Sequence, residues 1–399
     1  MNWTLFIIVA GAFQGILLSL VIFKKHRNEK ANVWLSAFIL TFALITLSDV
    51  FDRTVEIHQN GALLHLFDWS IFLLGPFLLM YLRERTGEKY QKRNGWFLHF
   101  LPAALTLLIY VLFYTMPSNG KIEMVLTEQR EEAVGNPGFL VLLIAGQMMF
   151  YFLYGFIILS RYSRRLKEKY SAIEKRNLNW IKKFIGINLL TWIIWIFAIY
   201  TSSSFARILD DICFPIVVYL FGYIGISQAD MGQVRTAISS IDGGDIESKV
   251  QRISTVDKKD DKAVIRYERS GLTLDKAEIL KQKLNTLMLD ERPYLEDDLS
   301  LRELADRLDV FPHHLSQLLN EHYGQNFYDY INSYRAQEVK NMLSDPSQKD
   351  ESILSIAFTC GFNSKATFNA FFKKQTGQTP RQFRAGFESK KVQSVYIEK

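Results

Sequence analysis

Seven long apolar stretches lie in the first 227 residues of this 399-residue chain, and they restrict its fold more than any other feature. A helix that crosses a bilayer needs about 20 mostly apolar residues, because its backbone polar groups must all be satisfied within the segment. The stretches of that length are Leu5–Phe23, Val33–Val50, Leu63–Leu82, Trp96–Tyr114, Phe139–Leu159, Phe184–Tyr200 and Ile208–Ile226. The pattern predicts a seven-helix transmembrane bundle over residues 1–227.

Lysine and arginine are divided unequally between the loops that join these stretches. With the N-terminus outside the cell, the inner loops (24–30, 83–95 and 161–183) hold 18 of them and the outer loops (51–62, 115–138 and 201–207) hold 4. Because inner loops carry the excess of positive charge, we expect a multi-pass protein of the cytoplasmic, or inner, membrane with residues 228–399 in the cytoplasm. Topology explains the basic loop 161–183, and contact with anionic lipid is the alternative.

Six ionisable residues lie near the outer ends of the predicted spans, namely Asp49, Asp52, His65, Asp68, Asp210 and Asp211. Ionisable side chains within spans are costly and often mark functional sites. We therefore predict that these six line a pocket that receives a signal from outside. The alternative is that they are ordinary polar span ends in the headgroup layer. The chemistry of the signal ligand is not indicated.

A change of composition follows the last apolar stretch. Between residues 228 and 274 apolar periodicity fades and Gly243-Gly244 and charged residues replace it, which is typical of a linker. Apolar residues then recur at helical spacing at Ala277, Leu280, Leu284, Leu287 and Leu289. This amphipathic helix, within Asp275–Leu289, begins a domain over 275–399 and either packs on that domain or pairs two chains into a homodimer.

Two helix-turn-helix patterns follow, at about 300–321 and about 352–374. In the first, Ser300 and Glu303 predict a capping box, Pro312 suits the first position of the second helix, and Gly324 ends it. The polar side chains left exposed on that second helix are His313, His314, Ser316, Gln317 and Asn320. This arrangement is typical of a helix that enters the DNA major groove.

The second pattern has a sharper turn. Gly361 permits it, and Ser364 caps the next helix. That helix buries Phe368, Phe371 and Phe372 and leaves Lys365, Thr367 and Asn369 exposed. Residues 352–399 hold 8 Lys and Arg against 2 acidic residues, a local field suited to phosphates. We expect phosphate contacts, which position rather than specify, from Lys373, Lys374, Arg381 and Arg384.

Residues from about 290 to 385 resemble the AraC/XylS-type DNA-binding domain. The second pattern carries the resemblance through Ile356-Ala357, Gly361-Phe362, Phe368, Phe372-Lys373, Gly377, Thr379-Pro380 and Phe383-Arg384. The first matches less tightly, through Leu304-Ala305, Pro312, Leu315-Ser316, Gly324 and Tyr334-Arg335. Ala370 departs from the family pattern, because many members carry Arg there. The membrane half resembles membrane-tethered members by architecture alone.

The resemblance implies two helix-turn-helix units joined by one long helix. It implies that a single monomer inserts its two recognition helices into successive segments of the major groove, about one turn apart. It also implies base contacts from His313, Ser316, Gln317, Lys365 and Asn369.

The sequence as a whole predicts an all-α protein and a function in transcription. We expect a membrane-anchored, sequence-specific DNA-binding regulator that couples a membrane or extracytoplasmic signal to a promoter. A transporter or membrane receptor with an appended autoregulatory domain is the alternative, although no span is visibly interrupted. Tethering without sensing is a third reading.

Enzyme activity, a cofactor and a metal are not expected. No hydrolase or zinc-protease motif is present. The cysteines, Cys213 and Cys360, fall in different halves of the chain, and the adjacent His313 and His314 point about 100° apart on a helix.

Overall fold

The computed structural model describes residues 3–25, 30–55, 60–88, 95–133, 139–174, 176–201 and 272–387, with scattered residues between 203 and 223. Within these ranges the regular elements are helices, and the β-type contact is an isolated bridge between Tyr170 and Ser300. The predicted all-α class is confirmed. The chain divides into a bundle unit, Met1–Ser160 with Leu178–Ser254, and a C-terminal unit, Arg161–Asn177 with Thr255–Lys399.

The bundle unit contains long apolar helices together with shorter, more polar ones. In chain order they are α1 (Trp3–Lys25), α2 (Lys30–Arg53), α3 (Leu74–Thr86), α4 (Leu101–Thr115), α5 (Ser118–Ala133), α6 (Phe139–Lys169) and α7 (Asn179–Thr201). The last residues of α6 belong to the C-terminal unit. Apolar side chains on α4 point outward, and Leu112 is 69% exposed. Exposed apolar surfaces of this kind mark contacts with a membrane or with another protein.

Five of the described helices are long and apolar enough to cross a membrane by length and composition. They are Trp3–Lys24, Lys30–Arg53, Trp96–Thr115, Phe139–Lys169 and Asn179–Thr201. These match the first, second, fourth, fifth and sixth predicted spans. The seventh predicted span, Ile208–Ile226, lies largely outside the described residues.

The predicted third span, Leu63–Leu82, differs from a single spanning helix. Turns cover its beginning, a 3-10 helix follows at Asp68–Leu73, and α3 then runs from Leu74 to Thr86. The cause lies at His65, whose backbone is left-handed with φ of 52° and cannot continue a right-handed helix. The expectation that no span is interrupted was therefore wrong for this stretch.

The C-terminal unit contains the two helix-turn-helix patterns. Its helices are α8 (Leu274–Asp290), α9 (Leu301–Arg307), α10 (Pro312–His322), α11 (Phe327–Ser344), α12 (Ile353–Thr359) and α13 (Lys365–Thr376). One apolar cluster joins α8, α9 and α10 to the start of α11, and a second joins the rest of α11 to α12 and α13. The long helix α11 therefore connects two small cores.

Local signals in the sequence fix the ends of these helices. The Ser300 side chain accepts from the Glu303 backbone and the Glu303 carboxylate accepts from the Ser300 backbone, which is the predicted capping box. Pro312 opens α10, and the Ser364 hydroxyl caps α13. Gly324 and Gly377 have φ of 62° and 74°, as left-handed helix ends require.

The amphipathic helix α8 packs on the domain that follows it. Ala277, Leu280, Leu284 and Met288 are buried in the same cluster as Leu315 of α10. Leu289, which the periodicity predicted to be buried, is 70% exposed, and Met288 is buried in its place. Packing, the first of the two alternatives, is confirmed, and pairing of two chains stays a prediction.

Candidate nucleic-acid interface

The first recognition helix, α10, has one apolar and one polar face. Leu315, Leu318 and Leu319 are fully buried. His313 is exposed, and Ser316 and Gln317 are partly exposed on the opposite side. The three base-contacting residues predicted on this helix therefore remain accessible.

Neighbouring side chains restrain this polar face. The His313 ring stacks on Phe311 with centroids 5.6 Å apart and lies 4.2 Å from the His314 ring. Partial burial, together with His314, lowers the pKa of His313 below its usual value. The ring is therefore neutral at pH 7 and offers one donor and one acceptor nitrogen. Gln317 donates to Glu321 at 3.3 Å, a surface contact that a base edge can replace.

The second recognition helix, α13, presents a polar strip. Lys365 and Asn369, the two base-contacting residues predicted here, are exposed, and Ala370 lies beside them. Behind the strip Phe368 and Phe372 are buried, with ring centroids 5.7 Å apart. The buried rings therefore determine which face of α13 is exposed.

The four predicted phosphate contacts differ in how free they are. Lys373 and Arg381 are exposed. The Lys374 ammonium lies 3.5 Å from Asp329, with the lysine side chain 72% exposed, so solvent weakens that pair. Arg384 is partly buried, and its Nη1 donates to the Glu351 carbonyl at 2.9 Å. It holds the C-terminal segment of the domain, and its phosphate contact stays a prediction.

Arg335 connects the two helix-turn-helix units, and sequence reasoning gave it no role beyond its place in the family pattern. It is 1% exposed in the middle of α11. Its Nε donates to the Tyr294 carbonyl at 2.7 Å and its Nη2 to the Glu296 carbonyl at 2.6 Å. Burial lowers its pKa to about 10, so the guanidinium stays charged at neutral pH. A charge this deep in the domain is held by backbone carbonyls.

Gly361 lies against the same backbone. Its φ is 87°, and an added Cβ would stand 2.5 Å from the Tyr294 carbonyl oxygen and 2.8 Å from that of Leu295. The predicted need for glycine at this turn is confirmed, and the close approach is a second reason for it. The turn of the second helix-turn-helix thus rests on the segment that leads into the first.

The inner loop contributes residues to the C-terminal unit, which the sequence did not predict. Ser171 is 1% exposed and its hydroxyl donates to the Leu299 carbonyl at 2.7 Å. Arg176 forms two hydrogen bonds to the Asp298 carboxylate, at 2.6 and 3.1 Å, and this pairing raises the pKa of Arg176. No periodic signal marks the contact, because it joins segments more than 120 residues apart.

Three of the six residues predicted to line a signal pocket, Asp52, His65 and Asp68, lie together in the bundle unit. The His65 Nδ1 atom lies 2.7 Å from Asp68 and 3.2 Å from Asp52, and Nε2 lies 3.2 Å from Glu128. The Tyr114 hydroxyl donates to the His65 carbonyl at 2.7 Å. Asp49 instead pairs with Arg53 at 2.9 Å. Asp210 and Asp211 lie outside the described residues.

Sequence reasoning missed Glu128. It lies on α5, within a stretch that was predicted to be an outer loop. The ligand atoms of Asp52, His65 and Asp68 all lie within 4.8 Å of one another, close enough to share a cation. With both ring nitrogens facing carboxylates, an imidazolium also satisfies the cluster without an ion.

Comparison with known proteins agrees with the geometry of the C-terminal unit. A helix-turn-helix domain family model matches residues 304–386. An uncharacterized HTH-type transcriptional regulator of Staphylococcus aureus (strain COL) is 37% identical over 91 residues, which are 23% of this chain and 12% of that protein. The HTH-type transcriptional activator RhaS of Enterobacter sp. (strain 638) is 23% identical over 161 residues, 40% of this chain and 56% of the activator.

These matches cover only part of each protein. The chain spans about an eighth of the staphylococcal relatives and just over half of the RhaS activator. A solved structure of a protein of unknown function from Listeria innocua is 32% identical and covers 25% of this chain and 92% of its own, with a TM-score of 0.23. The match to the family model lies wholly within the C-terminal domain.

Proposed function

Because residues 304–386 form an AraC-type helix-turn-helix domain, we propose that this protein is a sequence-specific transcription regulator anchored in the cytoplasmic membrane. Its DNA is a double-stranded promoter. The bundle receives a membrane or extracytoplasmic signal and changes promoter occupancy.

One observation carries the proposal for DNA binding. Two polar recognition faces, on α10 and α13, are backed by two cores that share α11. The predicted base-contacting side chains on both helices are exposed or partly exposed, and Arg335 and Gly361 tie the two halves together. A single monomer of this kind reads two successive major-groove segments about one turn apart.

The membrane part of the proposal rests on composition and charge. Five described helices are long and apolar enough to cross a bilayer, and the excess of Lys and Arg falls in alternate loops. We place the N-terminus outside and the DNA-binding domain in the cytoplasm, where promoters are accessible. The lipid bilayer is then a permanent partner, and a homodimer on DNA is a further element of the proposal.

The signal is proposed to act at the cluster formed by Asp52, His65, Asp68 and Glu128. Burying carboxylates and an imidazole at the outer end of a span costs free energy, and such residues commonly mark a functional site. Asp68→Asn removes one charge with little change of shape. It should alter induction of a reporter under the regulated promoter, whereas Asp49→Asn, in the exposed pair with Arg53, should not. Equal induction in both variants would exclude the cluster.

DNA recognition is tested by two substitutions with different expected signatures. Gln317→Ala should change the preferred sequence and cost about 1–3 kcal/mol on the best site, since a side chain that reads a base edge is lost. Lys374→Ala should weaken binding to all sequences about equally and reduce the slope of log affinity against log salt concentration by about one. Binding of the full-length protein to selected and random duplexes, measured across salt concentrations, separates the two. The assignment of faces is wrong if both variants behave alike.

Transport is a second candidate function, favoured by the irregular stretch before α3. Turns and a 3-10 helix at membrane depth are tolerated where they line a cavity, as in transporters. Uptake of labelled small solutes by vesicles that contain the protein would support transport. A signal that changes transcription without being accumulated would support sensing.

A further inference from the structure

Within the C-terminal unit, Ser171 anchors the inner-loop segment, residues 161–177, on the DNA-binding domain. Its backbone N–H and its hydroxyl both donate to the Leu299 carbonyl, at 3.1 and 2.7 Å. Its carbonyl accepts from Asn332 at 3.1 Å, and its hydroxyl accepts from Arg335 at 3.1 Å. The backbone and side-chain polar groups of this buried residue thus all form hydrogen bonds to the DNA-binding domain, as buried polar groups in a packed interface do.

A second anchor lies five residues later. The Arg176 guanidinium forms its two-bond fork with Asp298, and it also covers the Tyr170 ring at 4.1 Å. Tyr170 in turn forms the isolated β-bridge with Ser300, the cap of α9. Bidentate pairing to a carboxylate is specific in direction as well as favourable. This anchor fixes the segment beside the first helix-turn-helix.

Apolar contacts reach the second helix-turn-helix. Leu166 and Ile173 are 7% and 6% exposed and belong to the cluster that contains Tyr328, Phe368 and Phe371. The Lys167 ammonium lies 5.3 Å from the centre of the Tyr328 ring. The segment therefore contacts both helix-turn-helix units and the helix between them.

Glu174 is the part of the segment that contacts a recognition helix. Its Oε1 accepts a hydrogen bond from the hydroxyl of Thr367, the third residue of α13. Its other oxygen, Oε2, is buried and has no hydrogen-bond partner among the described residues. A buried carboxylate oxygen left unpaired is costly. The contact of Glu174 is therefore weaker than the anchors at Ser171 and Arg176.

The place that Glu174 occupies is one that DNA needs. Recognition helices approach the major groove with their N-terminal residues nearest the bases. The N-terminal turn of a helix also attracts anions, a DNA phosphate as readily as a carboxylate. Glu174 puts a negative charge on that turn at Thr367, which lies between Lys365 and Asn369 in the sequence. The charge there is favourable for the N-terminus of the helix and repels phosphates.

From these contacts we propose that the inner-loop segment is an autoinhibitory element. Ser171 and Arg176 hold it on the DNA-binding domain, and Glu174 competes with DNA for the N-terminal turn of α13. The segment leads directly from α6 into α7. A signal that shifts these two helices then reaches the recognition helix without passing through residues 228–274. The inference rests on the proposed function, since it assumes that α13 reads DNA.

The test uses the full-length protein in nanodiscs and a duplex obtained by in vitro selection with that protein. Glu174→Gln keeps a hydrogen-bonding group for Thr367 and removes the charge. We expect it to tighten binding about tenfold, within the usual range of coupling between sites. Glu168→Gln is the matched control, because it removes the same charge from the segment at a surface position that pairs only weakly, at 3.8 Å, with Arg164. It should stay within about twofold of wild type.

Hydrogen exchange supplies a second readout that does not depend on the variant. If DNA and Glu174 compete, then the duplex must loosen the segment by the same coupling, since linkage is reciprocal. Amides of 171–176 should exchange faster with DNA than without it. Unchanged affinity in Glu174→Gln, or unchanged exchange in the segment, would overturn the inference. Failure of the wild-type protein to select any duplex would instead reject the proposed function.

Discussion

Replacing Arg335 by methionine should destabilise the C-terminal unit far more than replacing a surface arginine. Methionine fills much of the same volume but donates no hydrogen bond. The Tyr294 and Glu296 carbonyls, now bonded at 2.7 and 2.6 Å, would lose these donors. Each buried acceptor left without a partner costs about 1–3 kcal/mol. We expect a total loss of about 3–5 kcal/mol, which includes the weaker bonds to Ser171 and Asn332.

Arg307→Met is the matched control. Arg307 makes two hydrogen bonds to the Glu296 carboxylate, at 2.8 and 2.7 Å, but its side chain is 33% exposed and that of Glu296 is 51% exposed. A surface pair of this kind contributes up to about 1 kcal/mol. The contrast between the two variants therefore isolates the effect of burial.

Amide hydrogen exchange of the full-length protein measures the difference without isolating the domain. A loss of about 3–5 kcal/mol corresponds to a fall in protection of roughly a hundred- to several thousand-fold for amides of α11. Arg307→Met should reduce protection by less than about tenfold. Similar losses of protection in the two variants would show that Arg335 does not hold the two helix-turn-helix units together.

Three further results are expected. Gly361→Ala should lower the free energy of unfolding by more than about 2 kcal/mol and abolish DNA binding, because the new Cβ would collide with the Tyr294 carbonyl and a φ of 87° is strained for alanine. Thermal unfolding and a mobility-shift assay check this, and a stable variant that binds DNA would contradict it. Burial raises the pKa of Cys360 to about 12, so in a Cys213→Ser background iodoacetamide at pH 8 should label the chain only after unfolding. Leu284→Ala should lower stability by about 2–5 kcal/mol, since the side chain is fully buried under α10, and a loss below 1 kcal/mol would show that α8 is not part of the core.

Local signals in the sequence predicted much of the C-terminal domain. The capping box at Ser300 and the proline that opens α10 act through their nearest neighbours in the chain, and the left-handed turn at Gly361 is also a local signal. The bounds of α8 came within one residue of the predicted Asp275–Leu289, because this helix has a continuous apolar stripe. That Met288 rather than Leu289 is buried at the end of α8 depended on tertiary packing.

Long-range contacts were beyond the reach of pattern. Ser171 and Arg335 are separated by 164 positions, and neither lies in a motif that names the other. The basic charge of the inner loop predicted its side of the membrane, but the anchors there are a serine and one arginine. In the bundle unit, periodicity treated Leu63–Leu82 as one uniform span. In the structure the backbone of His65 is left-handed, and three carboxylates lie around its ring.

The central claim is that a membrane-embedded chain reads DNA with two helices at once. Crosslinking in cells, followed by recovery of the full-length protein from the membrane fraction and sequencing of its bound DNA, tests this most directly. We predict discrete sites that contain two sequence elements about 10 base pairs apart, and loss of one element's signature in each of Gln317→Ala and Asn369→Ala. DNA recovered without discrete sites, or sites unchanged in both variants, would contradict the account.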